Sequence, residues 1–166
     1  LFTETGVPTT FFQTSHYWDN MIYLGMGPNR DANGHLAISF PLGESRLPGI
    51  GGEDIGPCAY GVFVAGDSLI GETVSVAGGI QTGAETAASL SRAIGEDVRY
   101  DAITPAAYRS LGFTGADELG SMFAFIAEFG DDYCPPRDPE IARGLYPSLL
   151  SLDDWLAKNG SRIPLD

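Results

Sequence analysis

Ser15, His16 and Asp19 bring the three side-chain types of a hydrolytic triad into one short segment. In a working triad the partners converge from separated segments, and the base lies within hydrogen-bond reach of the nucleophile. Ser15 and His16 are adjacent, and neighbouring residues on an extended chain point to opposite faces. That argues against a triad. No GxSxG elbow occurs to present a serine nucleophile.

Gly49-Ile50-Gly51-Gly52-Glu53-Asp54 is the nearest approach to a dinucleotide-binding glycine loop. Such a loop needs GxGxxG between a strand and a helix, so that phosphates meet the positive end of the helix. Here Glu53 and Asp54 occupy the end that should attract phosphate, and the run reads as a turn before a capped helix. A Tyr-x-x-x-Lys pair, in which lysine lowers the tyrosine pKa from one helical turn away, is also missing. The only lysine is Lys158, and Asp154 stands four residues before it. Two histidines, His16 and His35, and two distant cysteines, Cys58 and Cys134, give no metal-ligand spacing. This sparse cysteine usage predicts ordinary thiols in a reducing compartment.

The elements that would position any site alternate. Val7 to Gln13 is rich in β-branched and aromatic residues and predicts a strand. Tyr17 to Leu24 predicts a short aromatic helix, and Met26 to Gly34 a loop. Strands are expected at 35–40, 73–77 and 98–102. Asp54 caps a helix over 55–65, and Thr82 to Glu85 is a capping box for a helix that Gly95 ends. Thr104-Pro105 starts another over 106–111. Leu119, Met122, Phe123, Ile126 and Phe129 recur at helical spacing, and Asp138 and Ser151 start two short helices. The pattern predicts an α/β fold with a mostly parallel sheet followed by a helical last third. The aromatic run also leaves Gln13, Thr14, Ser15, His16, Tyr17, Trp18 and Asn20 at the C-terminal end of the first strand, where open α/β sheets bind ligands. The aromatics there are equally at home in a core.

Composition bounds the rest. At 166 residues and 43% hydrophobic, the chain suits a single core. Its 22 acidic residues against 9 basic ones give a net charge of −13, which repels nucleic-acid phosphates and favours solubility or a basic protein partner. No run approaches the ~18 apolar residues of a membrane span. Leu1 to Gly6 reads as the end of a helix closed by Gly6, which predicts an upstream segment.

Gly6-Val7-Pro8-Thr9-Thr10, Tyr17-Trp18-Asp19-Asn20 and Glu53-Asp54-Ile55-Gly56-Pro57 resemble the C-terminal half of NmrA-like proteins, close to the HSCARG type. The likeness continues through Thr104 to Phe113, Gly115 to Phe123 and Ser151 to Leu156. It implies residues 1–166 as the C-terminal portion of one atypical short-chain dehydrogenase/reductase domain. The glycine-loop portion of that Rossmann-like NAD(P)-binding fold would lie outside this chain, and a small helical lobe would close over the cofactor's reactive end. It further implies NADP or NAD as cofactor, with NADP preferred, and Thr14, Ser15, His16, Tyr17 and Asn20 beside the nicotinamide. The substrate pocket would take in Gln13, Trp18, Met21, Tyr23, Phe113, Met122 and Phe123. Gln13 and Ser15-His16 depart from the arginine and the proline-containing pair common in relatives. Two functions follow: a cytoplasmic cofactor sensor acting through a protein partner, and an NAD(P)H-dependent reductase of quinones or similar conjugated carbonyl compounds. Homo-oligomerisation is left open.

Overall fold

A computed structural model describes residues 2–165. After a 3-10 turn at Thr3–Thr5, closed by Gly6 in the left-handed region, the strands and helices follow in order. They are β1 (Phe11–Gln13), β2 (His16–Tyr17), α1 (Asn20–Tyr23), β3 (Asn29–Arg30), β4 (Leu36–Phe40), β5 (Arg46–Ile50) and α2 (Gly52–Ala65). The second half holds β6 (Thr73–Ser75), β7 (Gly79–Thr82), α3 (Gly83–Ile94), β8 (Val98–Ala102), α4 (Pro105–Arg109), α5 (Ala116–Tyr133), α6 (Pro139–Leu145) and α7 (Leu152–Asn159). The expected helix end at Gly6 is thus a 3-10 turn, and Leu1 lies outside the described residues.

The strands form three small sheets rather than one. β1 pairs in parallel with β6, with Phe11, Phe12 and Gln13 opposite Thr73, Val74 and Ser75. β5 lies between β2, which is parallel to it, and β7, which is antiparallel. β4 lies between antiparallel β3 and parallel β8. The first strand begins at Phe11 instead of Val7 because its partner is only three residues long and Glu72 already accepts from the Phe11 N–H.

Several expectations need correction. Tyr17 belongs to β2 and not to a helix, so α1 is reduced to a single turn. Asp19 leaves α1 uncapped and instead accepts from the Gly52 N–H at 2.7 Å, the free N-terminus of α2. That helix therefore begins at Gly52, ahead of Asp54. Three further strands were hidden from a reading of composition. β3 lies within the expected loop 26–34, where Asn29 and Arg30 pair with Ala37 and Leu36, and β5 and β7 were not foreseen. β5 contains Pro48, which lacks an N–H, but the parallel partner joins β5 only at Gly49, so one side of Pro48 needs no donor. β7 is masked because its last residue, Thr82, is also the N-cap of α3.

The other capping signals held. Thr82 and Glu85 exchange bonds as a capping box, Gly95 closes α3 at φ 78°, Thr104 caps α4 and Ser151 with Asp154 caps α7. The apolar repeat from Leu119 to Phe129 lies within α5, which bends where Phe129 departs to φ −113°.

Two buried clusters fill the interior. The larger joins Trp18, Met21, Leu36, Ile38, Phe40, Leu90, Phe123, Ile126 and Trp155, and the smaller centres on Ile50, Cys58, Val74 and Val76. Both tryptophans lie against glycine. A Cβ on Gly49 would fall 2.2 Å from the Trp18 Nε1, one on Gly78 2.8 Å from its ring, and one on Gly51 2.7 Å from Trp155. The glycine run after Leu47 is thus a seat for two indoles and not a phosphate cradle. Gly49→Ala should therefore destabilise the fold by about 1–3 kcal/mol in urea unfolding, as overpacked cores do. Gly56→Ala, on open helix surface, should be neutral or stabilise by up to about 1 kcal/mol.

Candidate functional site

The C-terminal ends of β1 and β6 are tied together. The Val76 N–H donates to the Gln13 carbonyl at 2.9 Å, and the Ser15 hydroxyl donates to the Val76 carbonyl at 2.7 Å. Ser15 is buried by this contact, so it pins the chain as it leaves the sheet. Ser75, also buried, donates to the Gln13 Oε1 at 3.1 Å. From this anchor the chain turns: Thr14 and Tyr17 remain accessible and bond through their hydroxyls at 3.0 Å. Trp18 then dives into the core, with its N–H donating to the Ile50 carbonyl. Ser15 and His16 do face apart, as an extended chain requires.

His16 packs between Phe40 and Phe123, with ring centroids 6.3 and 6.2 Å away. Its Nε2 is fully buried without a hydrogen-bond partner. Burial lowers its pKa to about 4, so the imidazole is neutral at pH 7. It lines a narrow crevice of about 20 Å³ with Gln81 and Thr86, room for roughly one water. The segment therefore divides into an outer rim of Gln13, Thr14 and Tyr17 and an inner wall of Ser15, His16 and Trp18.

The remaining expected residues scatter around this point. Asn20, half-buried, opens α1. Met21 and Phe123 are fully in the core, and Met122 packs against it. Tyr23 is exposed and held by Arg162, whose guanidinium donates to its hydroxyl. Phe113 lines a separate open groove of about 620 Å³ with Leu24, Met26, Tyr108 and Leu111, at the C-terminal ends of β4 and β8. Trp18, Met21 and Phe123 are thus brought together as a floor, while Tyr23 and Phe113 lie apart from the strand-end rim.

The sequence reading missed Arg137. It is buried in the 3-10 turn Pro135–Arg137, donates to the Tyr133 carbonyl at 2.9 Å and to the Gln13 Oε1 at 3.4 Å, and lies 3.7 Å from the Tyr133 ring centroid. Nothing local in Cys134-Pro135-Pro136-Arg137 signals this contact, because Gln13 lies 124 residues away in sequence. Among the described residues no cluster of histidine, cysteine or acidic side chains could hold a metal ion. No helix there is long and apolar enough to cross a membrane. Cys58 and Cys134 are free thiols, and burial raises Cys58 to about 11 and Cys134 in the same direction, so neither is poised as a nucleophile.

Parallel strand pairs that end in a polar rim, with helices packed around them, define an α/β protein of Rossmann-like architecture. The chain belongs to the NmrA-like family, whose model matches residues 2–156. Among solved structures it is similar to NmrA, a negative transcriptional regulator in complex with NADP, at 20% identity and a TM-score of 0.70 over 92% of this chain and 52% of that one. It is similar to the Citrobacter sp. triphenylmethane reductase complexed with NADP(H), at 17% identity and a TM-score of 0.71 over 95% and 54% of the two chains. An NADPH-dependent quinone oxidoreductase from Escherichia coli matches at 16% identity and a TM-score of 0.67, over 87% of this chain and 52% of that one. The chain thus spans about half the length of the solved structures it matches.

A histidine folded at a lowered pKa binds fewer protons than the unfolded chain between pH ~6.5 and ~4, so its stabilising contribution is complete above that window and lost on acidification through it. His16→Leu should therefore flatten the fall in urea stability from pH 6.5 to pH 4 by up to about 1.4 kcal/mol per pH unit. A variant as acid-sensitive as the parent would contradict the burial of this imidazole.

Proposed function

We propose that the chain supplies the nicotinamide side of an NAD(P)-binding cleft, in a protein that senses the cofactor and reports it to a protein partner. The phosphate cradle is assigned to a glycine-loop portion outside residues 1–166. Thr14 and Tyr17 meet the nicotinamide end, Ser15 and His16 shape the turn behind them, and Asn20 anchors it. The site is read in a reducing, cytoplasmic setting, in keeping with two free thiols.

The observation that carries the sensing reading is the state of His16. An imidazole with a pKa of about 4 and a buried, unpartnered Nε2 is a poor general acid at neutral pH. Lys158, the one lysine, lies 3.8 Å from Glu53 beside α2 rather than near a tyrosine at the strand ends. A rim that binds without moving a proton can still act by linkage, because a ligand that orders one conformation changes what a partner meets. The acidic surface would then contribute to docking a basic partner.

The second reading, reduction of quinones or similar flat conjugated carbonyl compounds, has one specific support. The 620 Å³ groove with Tyr108, Phe113 and Leu24 is of ligand size and predominantly apolar. NADPH oxidation with and without a quinone separates the two. The sensing reading expects NADPH to raise the melting temperature in the manner of a specific ligand, with quinone-dependent oxidation at background; steady turnover well above background would replace it with the reductase reading.

A further inference from the structure

Arg30, Arg46, Arg92, Arg99, Arg143 and Lys158 each have a carboxylate within 4.0 Å. Among the described residues no carboxylate lies within 4.0 Å of Arg109, Arg137 or Arg162, and of these only Arg137 is buried, at 9% exposure. Removing a guanidinium from water is costly unless a counter-charge and hydrogen bonds compensate. Here the compensation is partial. One nitrogen donates to the Tyr133 carbonyl, another makes a long 3.4 Å bond to the Gln13 amide oxygen, and Nε has no partner at all. The Tyr133 ring face adds a cation–π contact. Among the described residues Arg137 is the one buried cation, and no carboxylate there comes within 4.0 Å of it, although the chain carries 22 acidic residues.

The location adds the second half of the argument. Gln13 is the last residue of β1, exposed, and its side-chain oxygen lies between Ser75 at the end of β6 and Arg137. Ligands of parallel α/β sheets sit at such strand ends. A neutral amide oxygen at 3.4 Å is a weak acceptor for a guanidinium, whereas a carboxylate or phosphate oxygen makes charge-assisted bonds roughly twice as strong.

We propose that Arg137 is an oxyanion-binding residue, and that the Gln13 amide oxygen is a neutral placeholder which a carboxylate or phosphate of the bound molecule displaces. The Gln13 side chain is free to swing to solvent, uncovering the Arg137 nitrogen it touches, while Ser75 adds a hydroxyl donor to the incoming oxygen. The position of this site in the cleft rests on the dinucleotide reading above; the missing counter-ion does not.

The test is a set of thermal melts of the intact chain at constant ionic strength, with acetate, inorganic phosphate or NADPH replacing chloride. The parent should show a saturable rise with acetate or phosphate, according to which oxyanion the site prefers, and Arg137→Gln should lose it. Gln13→Glu supplies an internal carboxylate. It should melt higher than the parent without added anion, and bind the added anion at least tenfold more weakly. An equal response in Arg137→Gln, a parent that responds to none of the three ligands, or a Gln13→Glu variant that melts no higher would each overturn the proposal. Should Arg137→Gln fail to fold, Gln13→Glu alone decides. A shift with NADPH that survives in Arg137→Gln, without any small-anion effect, would sink the oxyanion site and leave the dinucleotide reading standing. Small-anion binding without any NADPH effect would do the reverse.

Discussion

The indole of Trp18 lies so close to Gly49 and Gly78 that neither position has room for a side chain. This contact fixes where the chain goes after its first strand. Trp18 is pulled into the core next to Trp155, their ring centroids 6.2 Å apart, and the preceding residues must then cross the open ends of β1 and β6. Ser15 secures that crossing from one side by bonding Val76. With both ends held, Gln13, Thr14 and Tyr17 are left facing outward. The polar rim is thus a consequence of how tightly the aromatic anchor is seated.

That arrangement also sorts two kinds of chemistry. Side chains pointing inward from the segment have lost access to water: His16 is neutral because the aromatic rings around it offer a proton no compensation. Side chains pointing outward keep their hydroxyls and amide. A rim of hydroxyls and an amide, beside an arginine lacking a counter-ion, suits recognition of a polar, anionic ligand better than proton transfer. The same logic separates this rim from the apolar groove at the ends of β4 and β8, which would accept a flat hydrophobic molecule but offers little to orient a charge.

Much of the fold was legible in the residues because its signals are local. Thr82 to Glu85, Thr104-Pro105 and Ser151 to Asp154 each satisfy backbone N–H groups within their own first turn, and they start helices as expected. The apolar spacing along α5 needed nothing beyond its own period. What escaped was decided at long range. β5 and β7 exist because they pair with each other and with β2, although proline and glycine depress their strand propensity. Asp54 was expected to cap the helix after it, yet it accepts from the distant Leu150 N–H, and the start of α2 is met instead by Asp19. In the site, the position of Gln13 to Tyr17 followed from the first strand, but Arg137 approaches from across the chain. No spacing rule links it to Gln13.

The proposed ligand site of this chain is the rim where β1 and β6 end. Backbone amide NMR spectra recorded with NADPH at millimolar concentration test it most directly. Perturbations are expected to concentrate on Gln13 to Tyr17, Ser75 and Val76, together with the Arg137 side-chain signal. Perturbations confined instead to Leu24, Met26, Tyr108 and Phe113, or spread without focus over the acidic surface, would contradict it.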